Sequence, residues 1–392
     1  MEICTIGGYE EVGKNMTAVK IGEDVIIFDA GVYLPPLIEL QEKETIQKKY
    51  TEKMLRDVHA IPDDLILDKL GWREKVRAIV IGHAHLDHVG GLPYLVQRYP
   101  EAKILASPFT MAVLDSILED EKIKVKNSRA EIKPDSTFWI NKKTGMKLEF
   151  IHTTHSTLEC VFIALHSEQG TFVYALDFKF DNYPVIGDPP NYKKLRELGK
   201  NGVHALVVDS LYSGTDRRTA SERIARNMLE DALSFVRGRE NALFITTFSS
   251  HIARLKSIVE FGQRTGREII FVGRSLNKYV NCAIKVGKCP FAKKVKLMRY
   301  RRQVDSILKN VEKNRGKYLI VCTGHQAEPG SILDRISKGE TPFKFRQGDH
   351  LIFSSSVIPT PVNIHSRDMM DKKLRKMGVR LQRRFPAHQK GL

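Results

Sequence analysis

Cysteine is scarce in this sequence, which has 5 cysteines among 392 residues, widely separated and without a Cys-x-x-Cys pair. This number and spacing argue against a disulfide framework, and they favour reduced thiols in the cytosol. The sequence also lacks an apolar run as long as a membrane span requires. Its first residues predict a strand rather than a signal peptide. We therefore expect a cytoplasmic protein without a membrane segment.

Acidic residues are outnumbered, since 46 Asp and Glu stand against 63 Lys and Arg, which gives a formal net charge of +17. An excess of this sign favours a polyanionic partner such as a nucleic acid. The basic side chains are concentrated in residues 293–302 and 372–376. Each cluster is equally consistent with a solvated face, so the sequence leaves its role open.

The most informative feature present is the segment His83-Ala84-His85-Leu86-Asp87-His88, which follows the apolar residues 78–81. The apolar run predicts a buried strand, and its carboxyl end is where α/β proteins place their chemistry. His83 and His85 are spaced to share one ion, and Asp87 and His88 are better placed for a second. Imidazole and carboxylate groups suit Zn²⁺. The alternative is a polar turn with solvated histidines, which a single histidine would favour.

Further candidate ligands end other apolar runs. Asp29 follows residues 25–28, His155 follows 148–151, and Asp177 follows 172–176. Asp209 also follows an apolar run, but by itself it is better explained as a cap at the end of a strand. Each of these residues alone is also consistent with a cap of the next turn or helix. The series as a whole favours a metal site.

Strands dominate the first half of the chain, and strands alternate with helices in the second half. The β-α alternation predicts a parallel sheet flanked by helices. First-half strands are predicted at the start and near 25–28, 77–81, 103–106, 148–151, 160–165 and 172–176. Second-half strands are predicted at 242–246, 268–272, 317–322 and 350–353, with helices over 222–237 and 252–262.

Small residues and one arginine follow the strands of the second half. Backbone N–H groups there come close enough to bind a phosphate, and Gly273 opens a helix in the geometry that anions prefer. The alternative is ordinary loop and capping chemistry. The polar segment 34–64 predicts an inserted helix and loop, which could serve as a lid. The candidate phosphate-binding residues are Ser249, Ser250, Arg274, Ser275, Ser354 and Ser355.

These motifs together resemble a known family. The ligand series resembles that of the metallo-β-lactamase superfamily, and the second half resembles ribonuclease J of the archaeal type, in the β-CASP branch. The resemblance implies an α/β fold, with an αββα sandwich and an inserted β-CASP domain whose parallel sheet is flanked by helices. The implied domains are 1–205 and 206–381. The segments that carry the resemblance in the second half are 206–210, 248–251, 271–275, 322–329 and 353–359.

The resemblance also implies the chemistry. His83, His85 and His155 would hold one zinc ion, Asp87 and His88 a second, and Asp177 would bridge the two. Asp29 would orient the histidines, and Asp209 would handle a proton near the metals. The implied activity is hydrolysis of RNA phosphodiester bonds in RNA processing and decay, by a 5′-to-3′ exonuclease, and the sequence leaves open whether the chain also cuts internally. A single-stranded RNA with a 5′ monophosphate is the expected substrate.

The chain departs from the family pattern after Leu381. The last two histidine motifs of the family do not follow, and residues 382–392 are expected to be an aberrant tail produced by truncation or frameshift. On this reading the closing segment of the first domain is missing, the second zinc site is weakened and activity is low. His388 supplying a ligand is the alternative. An inactive RNA-binding remnant, a small-molecule metallo-hydrolase and a homodimer also stay open.

Overall fold

The computed structural model describes residues 1–43, 49–214, 216, 219–236, 240–358 and 360–382. These residues form two compact units. Among the described residues, unit 1 comprises 1–180 and 189–216, and unit 2 comprises 181–188 and 219–382. The predicted tail lies outside the described residues from 383 onward, while Gln382 ends a strand.

Two sheets make up the centre of unit 1. In the first sheet the last four strands run parallel to one another, and the second sheet is antiparallel except for one edge strand, Ala205–Val208, which runs parallel to its neighbour. Within the described residues the first sheet has the order β1 (Glu2–Gly7), β2 (Met16–Ile21), β3 (Asp24–Phe28), β4 (Val76–Ile81), β5 (Lys103–Ala106), β6 (Arg129–Glu131). The second has the order β11 (Ala205–Val208), β10 (Gly170–Ala175), β9 (Val161–Ser167), β8 (Met146–His152), β7 (Thr137–Asn141).

The two sheets enclose a continuous apolar core. Phe28 of β3 contacts Phe172 of β10, with ring centroids 5.1 Å apart, and Phe150 of β8 belongs to the same cluster. Each such buried side chain contributes roughly 1.5–3 kcal/mol. The outer face of the second sheet packs on α7 through Leu195 and Leu198. The unit 1 helices are α1 (Leu34–Lys43), α2 (Glu52–Asp57), α3 (Ile66–Lys69), α4 (Leu86–Val89), α5 (Leu92–Leu95), α6 (Pro108–Glu121) and α7 (Tyr192–Asn201).

The predicted insertion at 34–64 contains α1 and α2 and ends at a buried carboxylate. Asp64 is fully buried and accepts hydrogen bonds from Arg56 (2.5 Å), Arg98 (2.9 Å) and the hydroxyl of Tyr99 (2.5 Å). Two guanidinium groups therefore compensate one buried charge. The far end of the insertion is anchored to the body of unit 1 by this network.

Unit 2 contains a parallel sheet flanked by helices, as predicted. The edge strands β14 and β17 were missed by the prediction because they are short and carry charged residues. In the described residues the strand order is β14 (Lys296–Met298), β13 (Glu268–Val272), β15 (Tyr318–Cys322), β12 (Leu243–Thr246), β16 (His350–Phe353), β17 (Arg380–Gln382). The helices are α8 (Glu222–Ser234), α9 (Ile252–Arg264), α10 (Arg274–Lys285), α11 (Arg301–Lys313), α12 (Ile332–Lys338) and α13 (Pro361–Lys376).

The predicted border between residues 205 and 206 falls inside strand β11, which pairs with β10 of unit 1. The short apolar run that ends at Asp209 extends the second sheet of unit 1, and the main part of unit 2 begins only after residue 216. A membrane-spanning helix is not found among the residues that the structure describes.

Candidate metal centre

The His83–His88 segment leaves the carboxyl end of β4 as a tight turn that leads into α4. Its backbone is bound on both sides by the loops that precede β2 and follow β3. Ala30 N donates to His88 O at 2.8 Å, Val32 N to Leu86 O at 3.0 Å, and Asn15 N to Asp87 O at 3.0 Å. These bonds fix the turn without using any of its imidazole or carboxylate groups.

Gly31 lets the loop after β3 pass directly against this turn. A Cβ atom at Gly31 would lie 1.7 Å from the carbonyl oxygen of Asp87, a distance that no side chain could occupy. The absence of a side chain at Gly31 therefore allows the turn to pack closely on the loop that follows β3.

Four donor atoms converge in a first group. His85 Nδ1 lies 3.1 Å from His83 Nε2 and 3.2 Å from His155 Nε2. Asp177 Oδ2 lies 3.5 Å from His83 Nε2 and 3.6 Å from His155 Nε2. Neighbouring ligands in a tetrahedral zinc site lie about 3.3 Å apart, given metal–ligand bonds of about 2.0–2.1 Å. The spacing and chemistry of this group therefore fit a four-coordinate metal ion.

A second group shares Asp177 with the first. His88 Nε2 lies 3.4 Å from Asp177 Oδ2 and 3.6 Å from Asp87 Oδ2. The ligand atoms in each group all lie within 4.8 Å of one another. One carboxylate oxygen is thus common to two possible metal sites, and the bridging role that the resemblance implies for Asp177 stays a prediction.

Asp29 holds His88 from the side opposite the second group. It is fully buried at the end of β3, its Oδ2 lies 2.6 Å from His88 Nδ1, and its Oδ1 accepts a hydrogen bond from Gly82 N at 2.8 Å. This contact fixes the ring so that Nε2 points toward Asp87 and Asp177. Asp29 and Asp177 both have left-handed backbones, with φ of 60° and 49°.

Burial and charge act differently on the three histidines of the turn. Burial lowers the pKa of His83 and lowers the pKa of His85 to about 3, which leaves both imidazoles neutral, as metal binding requires. Burial also disfavours a charged His88, but the carboxylates of Asp87, Asp29 and Asp177 outweigh it and raise its pKa to about 10. The same carboxylates would stabilise a bound cation.

Two residues near the ligands were not assigned a role from the sequence. Asn15 Nδ2 lies 2.9 Å from Asp87 O and 3.2 Å from His88 Nε2. Ser156 Oγ lies 3.2 Å from His85 Nε2 and 3.4 Å from His155 Nε2. The hydroxyl of Ser156 follows a candidate ligand directly in the sequence, which is a weak signal for such a contact, and Asn15 has no such signal.

Asp209 lies outside both ligand groups. Its backbone N–H donates to Ala175 O at 3.2 Å, which places it beside the end of the strand that leads to Asp177. Its Oδ1 accepts a hydrogen bond from Leu211 N at 2.9 Å. The carboxylate therefore caps the turn that follows β11, whatever further role it has.

The residues predicted to bind phosphate follow strands of the unit 2 sheet. Ser249 Oγ and Ser275 Oγ are 2.9 Å apart, and Arg274 is exposed as the first residue of α10. Ser250 is buried, and the buried hydroxyl of Ser355 has no hydrogen-bond partner among the described residues. Parallel strands place these residues at one edge of the sheet, where α/β proteins bind ligands.

Ser354 is engaged inside unit 2. Its side chain is fully buried, with Oγ 3.3 Å from Arg254 Nη1, and its carbonyl oxygen accepts from Arg254 and from Thr247 Oγ1 (2.9 Å). Arg254 in turn forms a bidentate pair with buried Glu222, at 2.5 and 2.8 Å. Ser354 therefore supports the loop that carries Ser355.

Comparison with protein families finds two matches along the chain. Residues 9–175 match the metallo-β-lactamase superfamily, and residues 240–368 match the β-CASP domain of ribonuclease J. The fold and the histidine–aspartate groups thus define a metallo-β-lactamase superfamily protein with a β-CASP domain. A solved structure of a protein of unknown function from Enterococcus faecalis V583 shares the fold, with a TM-score of 0.62 at 13% identity over 97% of this chain and 87% of that one.

Comparison with individual proteins shows which family of this superfamily the chain belongs to. The chain is 36% identical to ribonuclease J of Methanocaldococcus jannaschii over 97% of its own length and 84% of that protein. It is 38% identical to ribonuclease J of Pyrococcus abyssi over 97% of its own length and 82% of that protein. The chain therefore belongs to the ribonuclease J family, and its similarity to these archaeal members agrees with the type that its motifs resemble.

Proposed function

We propose that this chain is a zinc-dependent ribonuclease that hydrolyses RNA phosphodiester bonds, acting 5′ to 3′ as an exonuclease and also cutting internally. The observation that carries the proposal is the position of Asp177 Oδ2, which lies 3.4 Å from His88 Nε2 and 3.5 Å from His83 Nε2 and so belongs to both ligand groups. The ribonuclease J relatives provide the substrate class, RNA.

The residues of the candidate metal centre have different proposed roles. When bound, two cations would supply Lewis-acid chemistry, in which water ionises near neutral pH and negative charge on a phosphodiester is stabilised. Asp177 would be a ligand in both groups, and Asp29 orients His88. We propose that Asp209 accepts or donates a proton near the metals. The remaining ligands are His83, His85 and His155 for one ion and Asp87 and His88 for the other.

The two ligand groups should differ in affinity. Among the described residues the first group offers four ligand atoms and the second offers three. We therefore expect near-stoichiometric zinc in the first site and weaker occupancy of the second. Metal analysis of the purified protein after gel filtration measures this directly, and two equally tight ions per chain would contradict it.

A test of the function uses a single-stranded, 5′-labelled RNA. Cleavage should stop when a chelator removes the metal and return with zinc, and Asp87→Ala should bind the RNA normally without cutting it. Asp115→Ala, which removes a carboxylate of α6 that pairs with Arg129, is the matched control and should keep full activity. Binding without cleavage by the zinc-loaded wild type would favour an inactive RNA-binding protein. Hydrolysis of an ester or thioester but not of RNA would favour a small-molecule hydrolase.

The phosphate-binding residues are proposed to recognise the 5′ monophosphate. Exposed Arg274 at the start of α10, beside the paired hydroxyls of Ser249 and Ser275, supports this role, with Ser250, Ser354 and Ser355 shaping the same edge. Arg274→Ala should reduce the preference for a 5′-monophosphorylated RNA over a 5′-hydroxyl RNA. An unchanged preference would remove Arg274 from the site. A cytoplasmic location and a homodimer stay predictions, and light scattering tests the latter.

A further inference from the structure

The edge of the unit 2 sheet that carries Arg274 continues to a second cationic segment. Strands β13 and β14 pair in parallel with Val272 opposite Met298, and Gly273 N donates to Met298 O at 3.1 Å. The residues that follow each strand therefore leave the sheet side by side. After β14 these residues are Arg299, Tyr300, Arg301 and Arg302, which we call the basic corner.

Tyr300 presents its ring to solvent from an anchored backbone. The side chain is 63% exposed, although it caps the start of α11. Gln303 Oε1 accepts hydrogen bonds from Arg299 N at 3.2 Å and from Tyr300 N at 3.1 Å, which fixes the backbone of the corner. The guanidinium of Arg299 lies 5.6 Å from the centre of the Tyr300 ring. The backbone that carries the ring is thus held in place, so a ligand that stacks on the ring orders only the Tyr300 side chain.

Arg301 and Arg302 of the corner are only weakly compensated by acidic groups. The Arg301 side chain is 79% exposed, and its Nε lies 3.8 Å from Asp305 Oδ2. Asp305 also lies 3.6 Å from Arg335, so one carboxylate faces two guanidinium groups. Arg302 is exposed as well. The corner therefore keeps positive charge available next to an aromatic face, which is the combination that binds single-stranded nucleic acid.

We infer that the basic corner is a subsite for one unpaired RNA base and its flanking phosphates. The base stacks on Tyr300, and Arg301 and Arg302 contact the phosphates. This inference rests on the proposed ribonuclease function and adds a binding element to it. Base-paired RNA does not present a free base face, so the subsite selects single strands.

Stacking is tested by Tyr300→Ala and Tyr300→Phe, with chelator present so that binding is measured without cleavage. Anisotropy with a single-stranded RNA should show about 5- to 100-fold weaker binding for Tyr300→Ala, as expected when one base–aromatic stack is lost. Tyr300→Phe should retain most of the affinity, because the ring remains. Phe235→Ala is the matched control, since Phe235 is 67% exposed in the same unit. The penalty for Tyr300→Ala should vanish on an abasic strand of the same length.

Charge is tested through the salt dependence of binding. Arg301→Ala should reduce the slope of log affinity against log salt by about 0.7 for one lost phosphate contact on a single strand. Arg264→Ala is the control, because Arg264 pairs with Glu230. If the wild-type chain binds and cleaves RNA and Tyr300→Ala binds it with the same affinity, the subsite is wrong and the proposed function stands. A wild-type chain that binds no RNA would overturn both the subsite and the proposed function.

Discussion

At the residue scale, the metal centre depends on which ring nitrogen each histidine presents. His83 and His155 direct Nε2 into the first ligand group, whereas His85 directs Nδ1 into it. The remaining nitrogen of His85 lies 3.2 Å from the hydroxyl of Ser156. A hydroxyl that accepts the Nε2–H bond selects the tautomer in which Nδ1 is available as a ligand.

Ser156→Ala should therefore weaken metal binding without removing a ligand. Losses of this kind typically cost about 10–100-fold in metal affinity. A competitive titration with a coloured zinc chelator measures the change. Ser136→Ala removes an exposed hydroxyl that bonds to Lys133 O and serves as control. If both variants bound zinc like the wild type, His85 would be held by other contacts.

Asp87→Ala and His88→Ala should both abolish cleavage yet differ in stability. His88 is fully buried against Asp29, so its loss leaves a buried carboxylate without its partner, at a cost of about 3–5 kcal/mol. Asp87 is only partly buried and pairs within the ligand group. Chemical unfolding of the metal-free variants should place Asp87→Ala near the wild type and His88→Ala well below it. Equal unfolding free energies would mean that the Asp29–His88 pair contributes nothing to stability.

At the element scale, the ligand turn is positioned by backbone packing. Gly31→Ala would place a methyl group against the Asp87 carbonyl and force the turn to move. We expect a loss of at least about 1–3 kcal/mol, the usual range for overpacking, together with reduced zinc binding. The measurements are the melting temperature and the zinc content.

Gly199→Ala in α7 is the control for this prediction, because a Cβ at Gly199 would meet nothing within 4 Å. It should leave zinc binding unchanged and stabilise the helix slightly. A Gly31→Ala protein with wild-type zinc content and melting temperature would show that the turn tolerates displacement.

The elements differed in how far the sequence could predict them. Strands β12, β13 and β16 were predictable because fully buried parallel strands are continuous apolar runs. Strand β14 carries Lys296 and only three residues, so its pairing is decided by the neighbouring β13 rather than by its own pattern. The imidazole and carboxylate groups of the turn could be grouped from the sequence because they are adjacent along the chain, and their role as ligands stays a prediction. Asn15 lies far from them along the chain and could not be grouped with them.

At the scale of the whole molecule, a buried histidine links stability to pH. His350 on β16 is almost fully buried, and burial together with Arg380 and Arg267 lowers its pKa. The unfolded chain takes up a proton near pH 6.5 while folded His350 stays neutral, so the free energy of unfolding falls as pH drops below about 6.5. His350→Gln should flatten this dependence in denaturant titrations between about pH 5 and 7.

The control for the pH dependence is His365→Gln, which changes an exposed histidine of the same unit. It should leave the slope as in the wild type. Burial also lowers the pKa values of His83, His85 and His325, so part of the dependence should survive in His350→Gln. If His350→Gln left the pH dependence of the free energy of unfolding unchanged, that dependence would come from other groups.

The left-handed backbone at Asp29 and Asp177 limits how this molecule can vary. At both positions one residue turns the chain at the end of a strand and also supplies the charge. Asparagine tolerates that conformation, whereas β-branched or longer side chains adopt it poorly. A deep mutational scan selected only for folding should therefore already reject most substitutions at these two sites. If the chain lost its activity during evolution, asparagine should be the first residue to replace aspartate at these two positions.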